Sequence, residues 1–156
     1  MGSVTEHHGI KERLRTDLNA AMRARDQVRL RALRMALTSI QNEEVAGAVA
    51  RELSDDEIVK VLTREAKKRR EAAEAFEGAG RAEQAAAERA EGEVLADYLP
   101  AQLTDDELAA LIASVIAATG ASGMLAMGHV MKAVTPQVAG RAEGARVAAE
   151  VRRQLG

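Results

Sequence analysis

Apolar residues return every three or four positions along almost the whole chain, and no stretch alternates as a strand would. Ile10, Leu14, Leu18, Ala21 and Met22 trace one stripe that stops at a turn near Arg25–Asp26. Leu30, Leu33, Leu37 and Ile40 then step by 3, 4 and 3 and give a second stripe, fading near Gly47. A third begins at Leu53-Ser54-Asp55-Asp56-Glu57-Ile58, which has the form of a capping box inside a hydrophobic staple. Ser54 and Glu57 are spaced to satisfy each other's backbone N–H, and Leu53 can pack on Ile58. This helix runs through Leu62, Ala66, Ala73 and Phe76 to a stop at Gly78 and Gly80. An alanine-rich fourth helix follows, from about Arg81 to Tyr98.

Leu99-Pro100-Ala101-Gln102 reads as a boundary. Directly after it, Leu103-Thr104-Asp105-Asp106-Glu107-Leu108 repeats the earlier start pattern 50 positions on. An old duplication would produce such a repeat, but two good helix starts also converge on it, and convergence is the simpler account. Leu108, Leu111, Ile112, Val115 and Ile116 form the next stripe, which Gly120 stops. A helix bearing Met124, Met127, Met131 and Val134 is expected to end at Thr135-Pro136, with its methionines in the core. A last helix spans about Ala142 to Gln154. The expectation is therefore an all-α protein. It has a lead-in over residues 1–9, an antiparallel helical part over 10–98 and a three-helix tail over 103–156.

Composition narrows the chemistry. Phe76 and Tyr98 are the only aromatics among 156 residues, so the core must be aliphatic and bases have almost nothing to stack on. There is no cysteine, hence no disulfide, thiolate ligand or thiol nucleophile. No nucleotide-binding G-x-x-x-x-G-K loop is present, and no serine has a setting that would activate it. No apolar run approaches the ~18 residues of a membrane span. The opening MGSVTEHHGIKER lacks the apolar stretch of a secretory signal, so a cytoplasmic, non-membrane protein is expected. Asp55-Asp56-Glu57 and Asp105-Asp106-Glu107 look like carboxylate clusters, but acids in a first helical turn offset the positive end of the helix dipole. His129 has no spaced partner, and no catalytic residue, metal site or cofactor is expected.

Net charge is only −2, yet charge is segregated along the chain. Residues 60–70 carry six cations against one acid, with Lys67-Lys68-Arg69-Arg70 at their centre. Lys11–Arg34 holds eight cations and three acids, whereas residues 71–97 reverse the balance with eight acids and two arginines. Such segregation creates local fields that attract phosphate. The alternative is that Lys67–Glu71, Arg70–Glu74 and the Arg64–Glu65 neighbours pair within their own helix. Gly140-Arg141-Ala142-Glu143-Gly144 opens the last helix. There Arg141 and outward backbone N–H groups can meet a phosphate, with Lys132 and Arg146 near in sequence.

Several of these elements together resemble a known family. They are Leu33-Arg34-Met35, Lys67-Lys68-Arg69-Arg70-Glu71 through Ala75-Phe76, and Ala79-Gly80-Arg81. Next come Glu93 to Leu99-Pro100 with Gln102-Leu103, then Met127-Gly128-x-Val130-Met131, and last Gly140-Arg141-Ala142-x-Gly144. In order and spacing they resemble the YqeY family from about residue 10 to 155. That family is similar to the C-terminal tail of the B subunit (GatB) of tRNA-dependent amidotransferase. There a helical tail is implicated in holding tRNA, and amidation occurs in a separate domain. The family label, carbon–nitrogen ligase with glutamine as amido donor, follows the enzyme, but the resemblance covers only the tail and implies no catalysis. One departure is Glu143, where the family usually has Asp. The resemblance and the charge pattern together imply a non-catalytic module facing tRNA or another structured RNA. Its phosphate contacts are expected from Arg64, Lys67, Lys68, Arg69, Arg70, Lys132, Gly140, Arg141, Gly144 and Arg146. An amidotransferase accessory working with a catalytic partner, or a protein-docking module, are the alternatives.

Overall fold

The computed structural model describes residues 9–156, so all of the expected lead-in except Gly9, including His7 and His8, lies outside the described residues. Among the described residues there are seven α-helices, one 3-10 turn and no strand. They are α1 (Ile10–Ala24), α2 (Gln27–Glu44), α3 (Asp55–Gly78), α4 (Ala82–Ala96), α5 (Asp105–Thr119), α6 (Met127–Val138) and α7 (Gly144–Leu155), with the turn at Met124–Ala126. No single helix among them is long and apolar enough to cross a membrane. The chain divides into two compact units, the first ending at Leu99 and the second beginning at Pro100.

Both expected capping boxes form. Glu57 N donates to Ser54 Oγ at 3.3 Å, and Ser54 N donates to Glu57 Oε1 at 3.2 Å. Glu107 N donates to Thr104 Oγ1 at 3.1 Å, and Thr104 N donates to Glu107 Oε1 at 3.2 Å. The staple residues Leu53 and Ile58 are buried in the first core, and Leu103 and Leu108 in the second. Each start thus joins a local backbone device to the core of its own unit.

In the first unit α1 and α2 form an antiparallel pair. Arg25 turns left-handed at φ 56°, and Asp26 then caps α2 by accepting from Arg29 N at 3.1 Å. Lys11 Nζ donates to Glu44 at 2.7 Å, which joins the start of α1 to the end of α2. The core gathers Leu14, Leu33, Ile40, Ile58, Leu62 and Leu95. Met22 is not part of it. It is 50% exposed, and the neighbouring Ala21 packs inward instead.

The α3–α4 hairpin is closed by a Schellman-type end. Gly80 has φ 75°, Arg81 N donates to Phe76 O at 2.8 Å, and Gly80 N donates to Glu77 O at 3.1 Å. Large core residues stop well short of this turn. The distal seam is carried by buried Ala73 and Ala85 and by ion pairs, Arg69–Glu88 at 3.1 Å and Arg89–Glu77.

The second unit packs α5, α6 and α7 around Ile112, Val130, Val134, Val147 and Val151. Three expectations are corrected here. The apolar line of α6 is Val130, Val134 and Val138, while Met127 and Met131 sit at its margin and Met124 is exposed. β-Branched valines spaced by four fill this narrow seam, and the methionines lie one step to the side. α6 also runs past Pro136 to Val138. Pro136 stands inside the helix on its exposed side, where it withholds one backbone N–H, and Val138 is buried by the continuation. The last helix starts at Gly144, later than expected. Arg141 N and Ala142 N both donate to Val138 O and hold the preceding residues in a turn.

Candidate nucleic-acid interface

The basic run on α3 follows the helix around, so its members face different surroundings. Arg64, Lys67, Lys68 and Arg70 are exposed, and Lys60 stands one turn before them. Arg69 turns inward. Its guanidinium lies 3.1 Å from Glu88 and 3.9 Å from Glu91, both on α4, and its Nε is buried without a partner. Glu91 is itself buried and also lies 3.5 Å from Arg31 on α2. A charge held between two helices in this way fixes their spacing and is poorly placed to reach out to phosphate.

The outward members also have carboxylate neighbours. Lys67 is 3.8 Å from Glu71, as the in-helix pairing anticipated. Arg64 does not pair with Glu65 but lies 3.6 Å from Glu43 on α2. Glu65 is buried and accepts from Lys68 at 3.3 Å. Arg64, Glu65 and Lys68 on α3 border a polar cleft of about 300 Å³, with Ser39, Asn42 and Glu43 of α2 on the opposite wall. The cleft holds hydroxyl, amide, carboxylate and cationic groups but no activated nucleophile.

The C-terminal candidates split in a similar way. Lys132 is exposed on α6. Arg141 Nε donates to Ala101 O at 3.2 Å, and Arg141 O accepts from Leu103 N at 2.8 Å. Arg146 donates to Leu103 O at 2.7 Å and to Asp105 at 3.0 Å. Gln102 donates to Gly140 O at 2.8 Å, and Gly140 has φ 74°. Gly144 opens α7 behind Glu143 at the cap position. The segment 140–146 is therefore a clasp on residues 101–105, and both of its arginines serve the clasp.

The acid triplets at the helix starts have local partners as well. Asp55 Oδ1 accepts from Ile10 N at 3.2 Å and Asp105 pairs with Arg146. Glu57 takes a hydrogen bond from Arg51 and another from Ser54 N, and its pKa falls to about 2. Among the described residues no three His, Cys, Asp or Glu side chains gather closely enough to hold a metal ion. His129 is exposed.

Sequence reading missed what happens around Tyr98. Its hydroxyl donates to Asp17, and the Arg13 guanidinium carbon lies 5.2 Å from the ring centroid. Burial and the hydrogen bond to Asp17 push the phenol above its ordinary range, while Arg29 and Arg13 act the other way. A tyrosine directly before a leucine–proline boundary was the one available signal, and periodicity does not say which helix it meets. The family model described as Yqey-like protein matches residues 11–155. No curated protein matches the chain.

Proposed function

The chain belongs to the YqeY family, and on that premise we propose that it is a non-catalytic helical module facing tRNA or another structured RNA. The observation that carries this reading is the outward set of cations on α3. Arg64, Lys67 and Lys68 are exposed, and their carboxylate partners sit at 3.3–3.8 Å. The Arg64–Glu43 and Lys67–Glu71 pairs are exposed on both sides and exchange readily, so an incoming phosphate can take the place of Glu43 or Glu71. Arg70 and Lys132 add exposed cations. Arg69, Arg141 and Arg146 support the surface by holding helices and turns in place. Phe76 is half-buried and Tyr98 buried, so base stacking contributes little and recognition runs through the RNA backbone. The family's similarity to the tail of the amidotransferase B subunit favours tRNA as the RNA class.

The test is titration of a labelled tRNA with the purified chain at two salt concentrations. Binding should weaken steeply with salt, with a log–log slope of about −2 to −4 for roughly three to five neutralised phosphates. No binding at low salt would end the reading. A protein-docking role is favoured instead by one feature, the exposed apolar pair Met124 (49%) and Leu125 (105%). A pull-down with and without nuclease separates the two. Partners lost on nuclease treatment support RNA, whereas partners retained support docking. Retained amidotransferase subunits would point to an accessory role.

A further inference from the structure

The end of the first unit where α1 turns into α2 has a stronger claim to phosphate than the basic run that stands out in the sequence. On α3 the five cations Arg64, Lys67, Lys68, Arg69 and Arg70 share their surroundings with five carboxylates, Glu43, Glu65, Glu71, Glu88 and Glu91. Four of these cations, Arg64, Lys67, Lys68 and Arg69, stand in ion pairs. At the α1–α2 end stand Arg23, Arg25 and Arg29, with Asp26 as the acid of the turn. Arg23 and Arg25 are exposed and have no carboxylate within ion-pair distance among the described residues.

Asp26, the acid of the turn, accepts Arg29 N at 3.1 Å as the cap of α2, so Arg29 stands beside the turn that carries Arg23 and Arg25. Arg25 is held left-handed at φ 56° in the tight turn, with its backbone N–H donated to Met22 O at 3.3 Å, so the turn that carries Arg23 and Arg25 is short and defined. Met22 (50% exposed) and Val28 (40%) flank these arginines.

We infer that the α1–α2 end is the principal phosphate-binding face, with Arg23 and Arg25 as its outermost contacts and Arg29 behind them. This rests on the RNA-facing reading and names which face of the first unit meets the backbone. An arginine with no carboxylate partner has no ion pair to give up when it meets phosphate, and its planar fork suits two phosphate oxygens at once. The cations on α3 must first give up a carboxylate, so they contribute less.

The experiment compares two charge reversals of the full chain, Arg23→Glu with Arg25→Glu and Lys67→Glu with Lys68→Glu, in tRNA titrations at two salt concentrations. Single Arg23→Glu serves as a control that leaves the left-handed Arg25 position untouched, and circular dichroism confirms that all variants are folded. The α1–α2 reversal should weaken binding about tenfold and flatten the salt slope by roughly 2, while the α3 reversal costs about threefold or less. If wild type binds and the α1–α2 reversal binds equally well, the inference fails and the RNA reading stands. A larger loss from the α3 reversal has the same meaning. Absence of wild-type binding at low salt removes both. Displacement of the tRNA by poly-glutamate at matched charge would make this face a site for acidic polypeptides and would overturn the phosphate assignment.

Discussion

The hydroxyl of Tyr98 donates to the carboxylate of Asp17, a residue 81 positions earlier in the chain. This bond ties the segment that follows α4 to the middle of α1, so the last residues of the first unit close onto its first helix. Arg13, one turn before Asp17, covers the ring at 5.2 Å. The phenol lies at the edge of the first core, where Tyr98 is 5% exposed.

Tyr98→Phe should therefore destabilise the protein by about 1–3 kcal/mol, because Asp17 loses its donor in a half-buried place. Urea unfolding measures the cost, and an unchanged midpoint would mean that water replaces the hydroxyl without loss. The same bond predicts alkaline sensitivity. The folded pKa of Tyr98 lies above its ordinary value. The bond's contribution is thus complete below the unfolded phenol value, about 10, and is lost as pH rises beyond it. Tyr98 is the only tyrosine and there is no tryptophan, so phenolate absorbance reports this site alone.

Ser54→Ala and Thr104→Ala should each cost roughly 1 kcal/mol, the usual loss for a helix N-cap. The two caps lie in separate cores, so the double variant should show the sum within about 0.5 kcal/mol. A double variant no less stable than either single one would refute this. Chemical denaturation of the four proteins completes the cycle.

Acid should weaken the fold in a defined window. Glu57 and Glu150 titrate at about 2 in the folded protein, through Arg51 and Arg153 respectively, and Glu44 and Glu107 are also lowered. For a lowered carboxylate, stability is present above the unfolded value, about 4.3, and declines as pH falls toward the folded one. Melting temperature should hold from pH 7 to about 5 and then drop toward pH 2. Arg51→Ala should reduce that drop, since it removes the largest cause of the shift at Glu57. An Arg51→Ala profile parallel to wild type would assign the acid sensitivity elsewhere.

The helices and their starts are legible in the sequence because each is set by local rules. Ser54 and Glu57 need only each other, and a stripe such as Leu30, Leu33, Leu37 and Ile40 declares its own buried face. Where the reading went astray, two local rules competed. Methionine and valine both fit the spacing in α6, and packing selected Val130, Val134 and Val138. Pro136 reads as a stop, but the helix continues past it and buries Val138. The charged surface was harder to read. Sequence ranks Lys67-Lys68-Arg69-Arg70 first because its cations are consecutive. The carboxylates that answer them, Glu43, Glu88 and Glu91, come from other helices and are visible only once α2, α3 and α4 are packed. Arg23 and Arg25 look less dense in sequence and emerge with fewer opposing charges.

The alanine seam of the α3–α4 hairpin has a dynamic consequence. From Ala73 and Ala85 toward the turn the apolar cover is the half-buried Phe76, and the Arg89–Glu77 pair ties the two helices together. Screening weakens the exposed Arg89–Glu77 pair, so amide hydrogens near the Gly80 turn should exchange faster as ionic strength rises, while those beside Leu62 and Leu95 stay protected. The far end of the hairpin thus breathes in response to ions, and its looseness is set by the solution as much as by the sequence.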